Sequence, residues 1–357
     1  MRRDSLSFDD SARLVDEVQH AIARHESLSI RGAATKAFLG RPATTPTREI
    51  DTRTHRGIVS YDPSELVITA RAGTPLAEIN AALDEANQML PCEPPTYAGM
   101  ATLGGVVASG LAGPRRPWAG SVRDFVLGCR VITGEGKHLR FGGQVMKNVA
   151  GFDVSRFMSG SFGCLGLITE VSLKVLPKPR ASSSLVIAMD ASEAMRELSA
   201  WRRAALPVSG ACFIDGALHV RLEGGTGSVQ AAVDRIGGSA LDQRFWEDLR
   251  EQRLAFFDDP RPLWRLSLPN ATPLMDLPGA ALLDWAGAQR WLKSDARATD
   301  IRAIASAAGG HATCFAAHRD AEPFHPLPAP LMRLHEQLKA RLDPHRIFNP
   351  GRMYAAY

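Results

Sequence analysis

The chain has 357 residues, 45% of them hydrophobic and 22% charged, with a net charge of +4. That is ordinary usage for a folded protein, long enough for two domains, and it excludes a disordered chain or a dedicated nucleic-acid binder. Five cysteines, Cys92, Cys129, Cys164, Cys212 and Cys314, stand far apart without a CxxC pair, which argues against a zinc site, an iron–sulfur cluster or a disulfide framework and fits a reducing cytoplasm.

The first predicted element is a helix from Asp10 to His25, where Leu14, Val15, Val18 and Ile22 fall at helical spacing; SLSIRG then reads as a short strand ending in a glycine turn. ELVITARAG reads as a strand and PLAEINAALDEANQML as a helix opened by Pro75. From about Cys92 to Gly166, glycine and alanine crowd between short apolar runs, a composition that lets backbone approach another group closely. LITEVSLKVLP is a predicted strand, and PKPRASSS, near Pro177 to Ser184, is the predicted boundary between domains.

Beyond it, SLVIAMD, a helix near Ala194 to Ala204, the strands ACFID and LHVRLE joined at Gly216, and a helix near Val229 to Ile236 predict an α+β sandwich. WRLSLP, the Trp285 to Leu292 region, a helix near Thr299 to Ala308 and HATCFAAH resemble a second pass through that pattern, without sequence identity between the halves. The tail Leu331 to Leu342 reads as an amphipathic helix before DPHRIFNPGR. No run approaches about 18 apolar residues and the opening MRRDSLSFDD has no apolar stretch, so no direct membrane insertion and no signal peptide are expected.

There is no GxGxxG, no GxxxxGK followed by Ser or Thr, and no HExxH, so Rossmann, P-loop and zincin readings lose their main support. What stands instead is a series of glycine clusters, each of which alone reads as a loop or a close helix contact. The turn RGAAT, with Arg31, Gly32, Ala33, Ala34, Thr35 and Lys36, is short and small enough to set several N–H groups on one concave side, as a diphosphate requires. In ATLGGVVASGLAG, Gly104 and Gly105 stand where side chains would hold a flat ring or a phosphate off the main chain. GSFGCLGLITEVSLKVLP runs three glycines, three residues apart, into a strand.

Taken in order, SIRGAATKAFLG, PCEPPTYAGMATLGGVVASGLAG, GSVRDFVLGCRVITGEGKHLRFGG, KNVAGFDVSR and GSFGCLGLITEVSLKVLP resemble the FAD-binding domain of the PCMH-type, vanillyl-alcohol-oxidase-like flavoproteins. LDPHRIFNPGR resembles the C-terminal signature of their FAD-linked oxidase members. Within that family the text is most similar to the FAD-binding subunits of bacterial glycolate-oxidising enzymes.

The resemblance implies an α+β protein: a PCMH-type FAD-binding domain of two α/β subdomains over residues 1–179, a smaller ferredoxin-like α+β cap over 180–323, and a segment over 324–357 that packs back on the first domain. It implies cofactor contacts from Arg31 to Lys36, from Ala101, Thr102, Leu103, Gly104, Gly105, Ser109 and Gly110, from Ser121, Val122, Arg123 and Asp124, and from Gly163, Gly166 and Ile168. It further implies oxidation of a small 2-hydroxy acid, glycolate and by extension D-lactate, beside a larger catalytic flavoprotein subunit and an iron–sulfur subunit, in the cytoplasm or at the inner face of the membrane through those partners.

The departures carry expectations too. Members with covalent flavin have a histidine in the first loop where this chain has Ala34 and Thr35, so the expected FAD is noncovalent. Phe162 replaces an acidic residue of the GSEGTLG block. In place of the His-rich HxGDGNxH segment of catalytic relatives stands GHATCFAAHRD, which leaves His311, His318 and Arg319 as weak candidates for a base and a carboxylate clamp, with surface or interface residues as the alternative. Arg115 and Arg116 either reach an anion near the flavin or serve as solvated charge or a subunit contact. Lys147 and Asn148 either lend positive charge to reduced flavin or simply end a strand.

Overall fold

The computed structural model describes residues 7–42, 47–143, 153–315 and 322–357. The chain divides into two compact units, one drawn from Met1–Leu111, Ser121–Pro177 and Pro326–Tyr357, the other from Ala112–Gly120 and Lys178–His325. The segment Ala112–Gly120, expected in the FAD domain, therefore groups with the second unit.

In the first unit the predicted opening helix spans Ser11–Arg24; of the expected stripe it buries Leu14 and Val18, half-buries Val15 and Ile22, and adds Ala21. It ends where His25 turns left-handed at φ 54° and the His25 and Glu26 amides return to the carbonyls of Ile22 and Ala21. The stripe packs on Leu28, Ile50, Ile132, Leu167, Ile347 and Phe348, each side chain of this size contributing about 1.5–3 kcal/mol on burial. Leu28 and Ile50 belong to a parallel pair of strands, Leu28–Arg31 and Arg48–Asp51.

Beside that pair lies an antiparallel five-stranded sheet in the order Ile58–Asp62, Val67–Arg71, Leu167–Lys174, Val126–Ile132, His138–Gly142. The strand Leu167–Lys174 is buried almost from end to end, which is why LITEVSLK lacks the clean alternation of a half-exposed strand.

The second unit is built on an eight-stranded sheet, in which the ferredoxin-like pattern and the second pass through it suggested by the sequence are joined edge to edge. Strand Ala181–Ala188, helix Ala191–Arg203, strands Val208–Ile214 and Ala217–Gly224, helix Thr226–Ile236 and strand Ser239–Ala240 make one β-α-β-β-α-β unit, its strands lying side by side in the order fourth, first, third, second. Leu263–Ser267, Ala280–Asp284, Gln289–Lys293, helix Ala298–Ala307 and His311–Cys314 repeat that order in mirror sequence. The second strands of the two repeats join them, Cys212 opposite Asp284 and Phe213 opposite Leu283.

The later repeat lacks its first helix: residues 268–279 hold Pro269, Pro273 and Pro278 and run without helical structure. In the earlier repeat Asp215 and Gly216, both at positive φ, form the two-residue turn between paired strands. The predicted linker serines are strand residues here, because Ser184 accepts a hydrogen bond from Trp246 Nε1 at 2.8 Å inside the fold.

Candidate flavin site

The strand Leu28–Arg31 delivers the chain to the turn Gly32–Lys36, and the amides of Gly32, Ala33, Ala34 and Thr35 have no acceptor among the described residues. They border a cavity of about 340 Å³ lined also by Arg31, Lys36, Thr102, Gly105, Ala108, Ser109, Phe162, Asn349 and Arg352. Lys36 places its ammonium 5.0 Å from the Tyr97 ring centroid. Unused donors, small side chains and cations about one cavity are what a diphosphate requires, so the residues present fit that part of FAD.

The helix Leu103–Ser109 contributes differently from what a helix N-terminus usually offers. Its first amides are already taken: Leu103 N donates to Thr74 O, Gly104 N to Ala72 O, and Gly105 N to the Thr102 hydroxyl at 3.4 Å. The amides left without an acceptor are therefore those of the loop and not those of the helix end.

The glycines sort by the same test. Gly105 lines the cavity, whereas a Cβ on Gly104 would lie 2.8 Å from Ala72 Cβ, so Gly104 serves a close approach within the protein. Gly110, at φ +63°, ends the helix against Gly160; a Cβ on Gly163 would lie 2.6 Å from Asn349 Nδ2, and one on Gly166 2.6 Å from Val131 Cγ1. Ala101, Leu103, Val122 and Ile168 are buried core residues. Ser121 and Asp124 form a capping box, the carboxylate accepting from Ser121 N and Oγ at 2.8 Å each. Arg123 borders a separate apolar cavity with Phe157, Leu334 and Leu338. The structure thus gathers Arg31 to Lys36, Thr102, Gly105 and Ser109 about one cavity, and the other expected contacts do not line it.

Phe162 lines the cavity at φ +51°, and its amide donates to Ala108 O at 2.8 Å. Asn349 and Arg352 are cavity residues that reading by position missed, although both stand in the quoted tail FNPGR.

The remaining candidates fare unevenly. His318, Arg319, Lys147 and Asn148 lie outside the described residues. His311 starts the strand His311–Cys314 and is exposed. Arg115 is engaged by Glu223 through both guanidinium nitrogens, one at 3.0 Å, in a buried ion pair that Arg221 joins at 3.6 Å from Glu223. The sequence left reach toward an anion, solvated charge and a subunit contact open for Arg115; within the chain it is held in this ion pair. Arg116 stacks 4.4 Å over the Trp285 ring.

All five cysteines are free and buried, and burial pushes the thiols of Cys92 and Cys129 up to about 12 and that of Cys164 up to about 11. They are packing residues rather than nucleophiles. Among the described residues no group of His, Cys, Asp or Glu is arranged to hold a metal ion, and no helix is long and apolar enough to cross a membrane.

Comparison with known proteins agrees with this geometry. The family described as FAD binding domain matches residues 7–142. Glycolate oxidase subunit GlcE of Escherichia coli (strain K12) is 60% identical over 347 residues, 97% of this chain and 98% of that protein. Glycolate oxidase subunit GlcD of Bacillus subtilis (strain 168) is 32% identical over 129 residues, 36% of this chain and 27% of the relative. D-lactate dehydrogenase of Anaerostipes hadrus is 35% identical over 130 residues, with the same coverage of each chain. The structure of alkyldihydroxyacetonephosphate synthase, at 15% identity, shares the fold with a TM-score of 0.68, covering 95% of this chain and 75% of that one. The chain belongs to the GlcE family of glycolate oxidase subunits and is an FAD-dependent oxidoreductase subunit.

Proposed function

We propose that this chain is the noncovalent FAD-binding subunit of a multisubunit enzyme that oxidises glycolate, and D-lactate as a second substrate, to the 2-oxo acid. It works beside a larger catalytic flavoprotein and passes electrons onward through an iron–sulfur subunit, on the cytoplasmic side and joined to the membrane only through those partners. The observation that carries the reading is the cradle of acceptor-free amides at Gly32–Thr35, within a chain that matches a glycolate oxidase subunit along nearly its whole length.

Bound FAD would supply an acceptor for a hydride, that is for two electrons and a proton. The protein's own part is to meet the diphosphate charge with the amides of Gly32–Thr35 and with Lys36 and Arg352, and to admit the cofactor closely past Gly32, Ala33 and Gly105. Oxidising a 2-hydroxy acid also needs a base for the hydroxyl proton and a cation for the carboxylate. Arg115 is neutralised by Glu223 and His311 is exposed on a strand, which favours an electron-carrying role over a self-sufficient dehydrogenase.

The test is an anaerobic absorbance spectrum of the purified chain, alone and with its partner subunits, before and after glycolate. A flavin band that persists in the isolated chain and bleaches in the complex is the expected result. Bleaching of the isolated chain makes it a dehydrogenase in its own right; no band and no uptake of added FAD make it a structural subunit. Acid precipitation is expected to leave the flavin in the supernatant, since Ala34 offers no nucleophile for a covalent link.

A further inference from the structure

We propose that Asn349 and Arg352, at the far end of the chain from the cofactor loop, are positioning residues for the diphosphate of FAD; this rests on the flavin reading and assigns a role to the tail FNPGR. The tail runs beside strand Leu28–Arg31 as a short extra edge, with Leu28 N donating to Ile347 O at 2.6 Å and Asn349 N to Leu28 O at 2.9 Å. Where that backbone pairing stops, a side chain takes over. Asn349 Oδ1 accepts from Ile30 N at 2.8 Å, and its Nδ2 donates to Phe162 O at 2.7 Å.

One side-chain amide therefore ties the entry of the Gly32–Lys36 turn to the opposite wall of the cavity, using both its donor and its acceptor. Asn349 itself sits at φ +41°, a region asparagine tolerates, and Gly163 at φ +71° leaves room for its amide nitrogen.

Arg352 holds the exit of the turn. Its guanidinium donates to the carbonyls of Ala37 at 3.0 Å, Leu39 at 2.5 Å and Arg41 at 3.2 Å, with Lys36 O at 3.5 Å. The oxygens of this stretch are collected on one cation, while the amides just upstream are left for a ligand. No carboxylate lies within ion-pair distance of Arg352 among the described residues, so its charge is solvated by carbonyl dipoles and stands in the wall of the cavity that takes the diphosphate.

The tail is fixed in turn by a fully buried ion pair. Lys339 Nζ donates to Asp343 at 2.6 Å and to the carbonyls of Cys164 and Phe348, and Asp343 accepts from Ile347 N and Phe348 N. The residues immediately before Asn349 are thereby set.

The experiment compares the parent protein with Asn349→Ala, Arg352→Met and Arg352→Lys, measuring affinity for FAD, for ADP as a diphosphate probe and for riboflavin as a probe without phosphate, together with the melting of the apo proteins. N349A and R352M are expected to weaken FAD and ADP about tenfold each, the scale of losing aligned donors to a charged group, and to leave riboflavin unchanged. R352M should also flatten the salt dependence of ADP binding. If N349A fails to fold, R352K decides: it keeps the charge but not the fork of donors, and about a threefold loss on FAD and ADP is expected. Unchanged ADP affinity in the folded variants overturns the proposal, as does an equal loss for all three ligands, which marks general destabilisation. A parent that binds neither FAD nor ADP removes the flavin reading itself, and this proposal with it.

Discussion

The turn Gly32–Lys36 in the first unit and the arginines near Trp118 in the second, for which an anion contact was one of the readings the sequence left open, are treated by the structure in opposite ways. The turn keeps the amides of Gly32–Thr35 without acceptors among the described residues, and the carbonyls that follow it, those of Ala37 and Leu39, are met by Arg352. The second region closes on itself: Arg115 and Arg221 share Glu223, and Arg116 covers Trp285. Positive charge becomes a binding site only where the fold leaves donors unspent, and residue type alone does not disclose that balance.

The largest effect is expected where the comparison is broken from below, at the pair that supports the tail. Lys339→Met leaves Asp343, with 0% of its surface exposed, as a buried charge without its cation. Removing one partner of such a pair costs about 3–5 kcal/mol, far more than losing a surface ion pair. Thermal unfolding of the apo protein should fall by several degrees, and FAD retention should fall with it. A variant that melts like the parent would show that the tail is held by its apolar contacts alone.

A smaller effect tests the other side. Arg115→Met leaves Glu223 with Arg221 as its remaining cation, so the expected loss is about 2 kcal/mol of stability. FAD and ADP affinities should stay at parental values. If R115M instead weakened the cofactor while leaving the melting point in place, Arg115 would belong with the binding residues and the contrast between the two regions would fail.

Much of this arrangement was legible in the chain, because it rests on local constraints. RGAAT announced a tight turn of small residues, and Leu14 and Val18 marked the buried face of the first helix, which Ala21 completes. The glycines were harder to read. Gly104, Gly163 and Gly166 are small because Ala72, Asn349 and Val131 approach them, and nothing in their spacing separates that need from room for a cofactor. Asn349 acts on Ile30 from 319 positions away, a pairing that only the folded chain brings about. The repeat in the second unit was legible as a second pass through the strand–helix pattern, while its missing helix, where the later copy has Pro269, Pro273 and Pro278, was not.

The smallest expected effect concerns acid and separates the units by one histidine each. Burial lowers the pKa of both His55 and His219, the first partly offset by Asp9 and reinforced by Arg71, the second partly offset by backbone hydrogen bonds. A histidine with a depressed folded pKa contributes stability in full above its unfolded value near 6.5, and loses it as the pH falls through the folded value. His55 has more to lose, because Nδ1 accepts the Asp10 amide at 3.0 Å and protonation turns that acceptor into a donor. His219 stacks on Phe245 with ring centroids 4.3 Å apart, and its Nδ1 is buried without a partner among the described residues. Between pH 7.5 and pH 5 the melting point should therefore decline less in His55→Gln than in the parent, while His219→Gln changes that slope less. His138 and His335 shift in the same direction through burial, so H55Q should shallow the decline without abolishing it. Equal slopes in H55Q and the parent would place the acid-sensitive step away from the first unit's His55 contact.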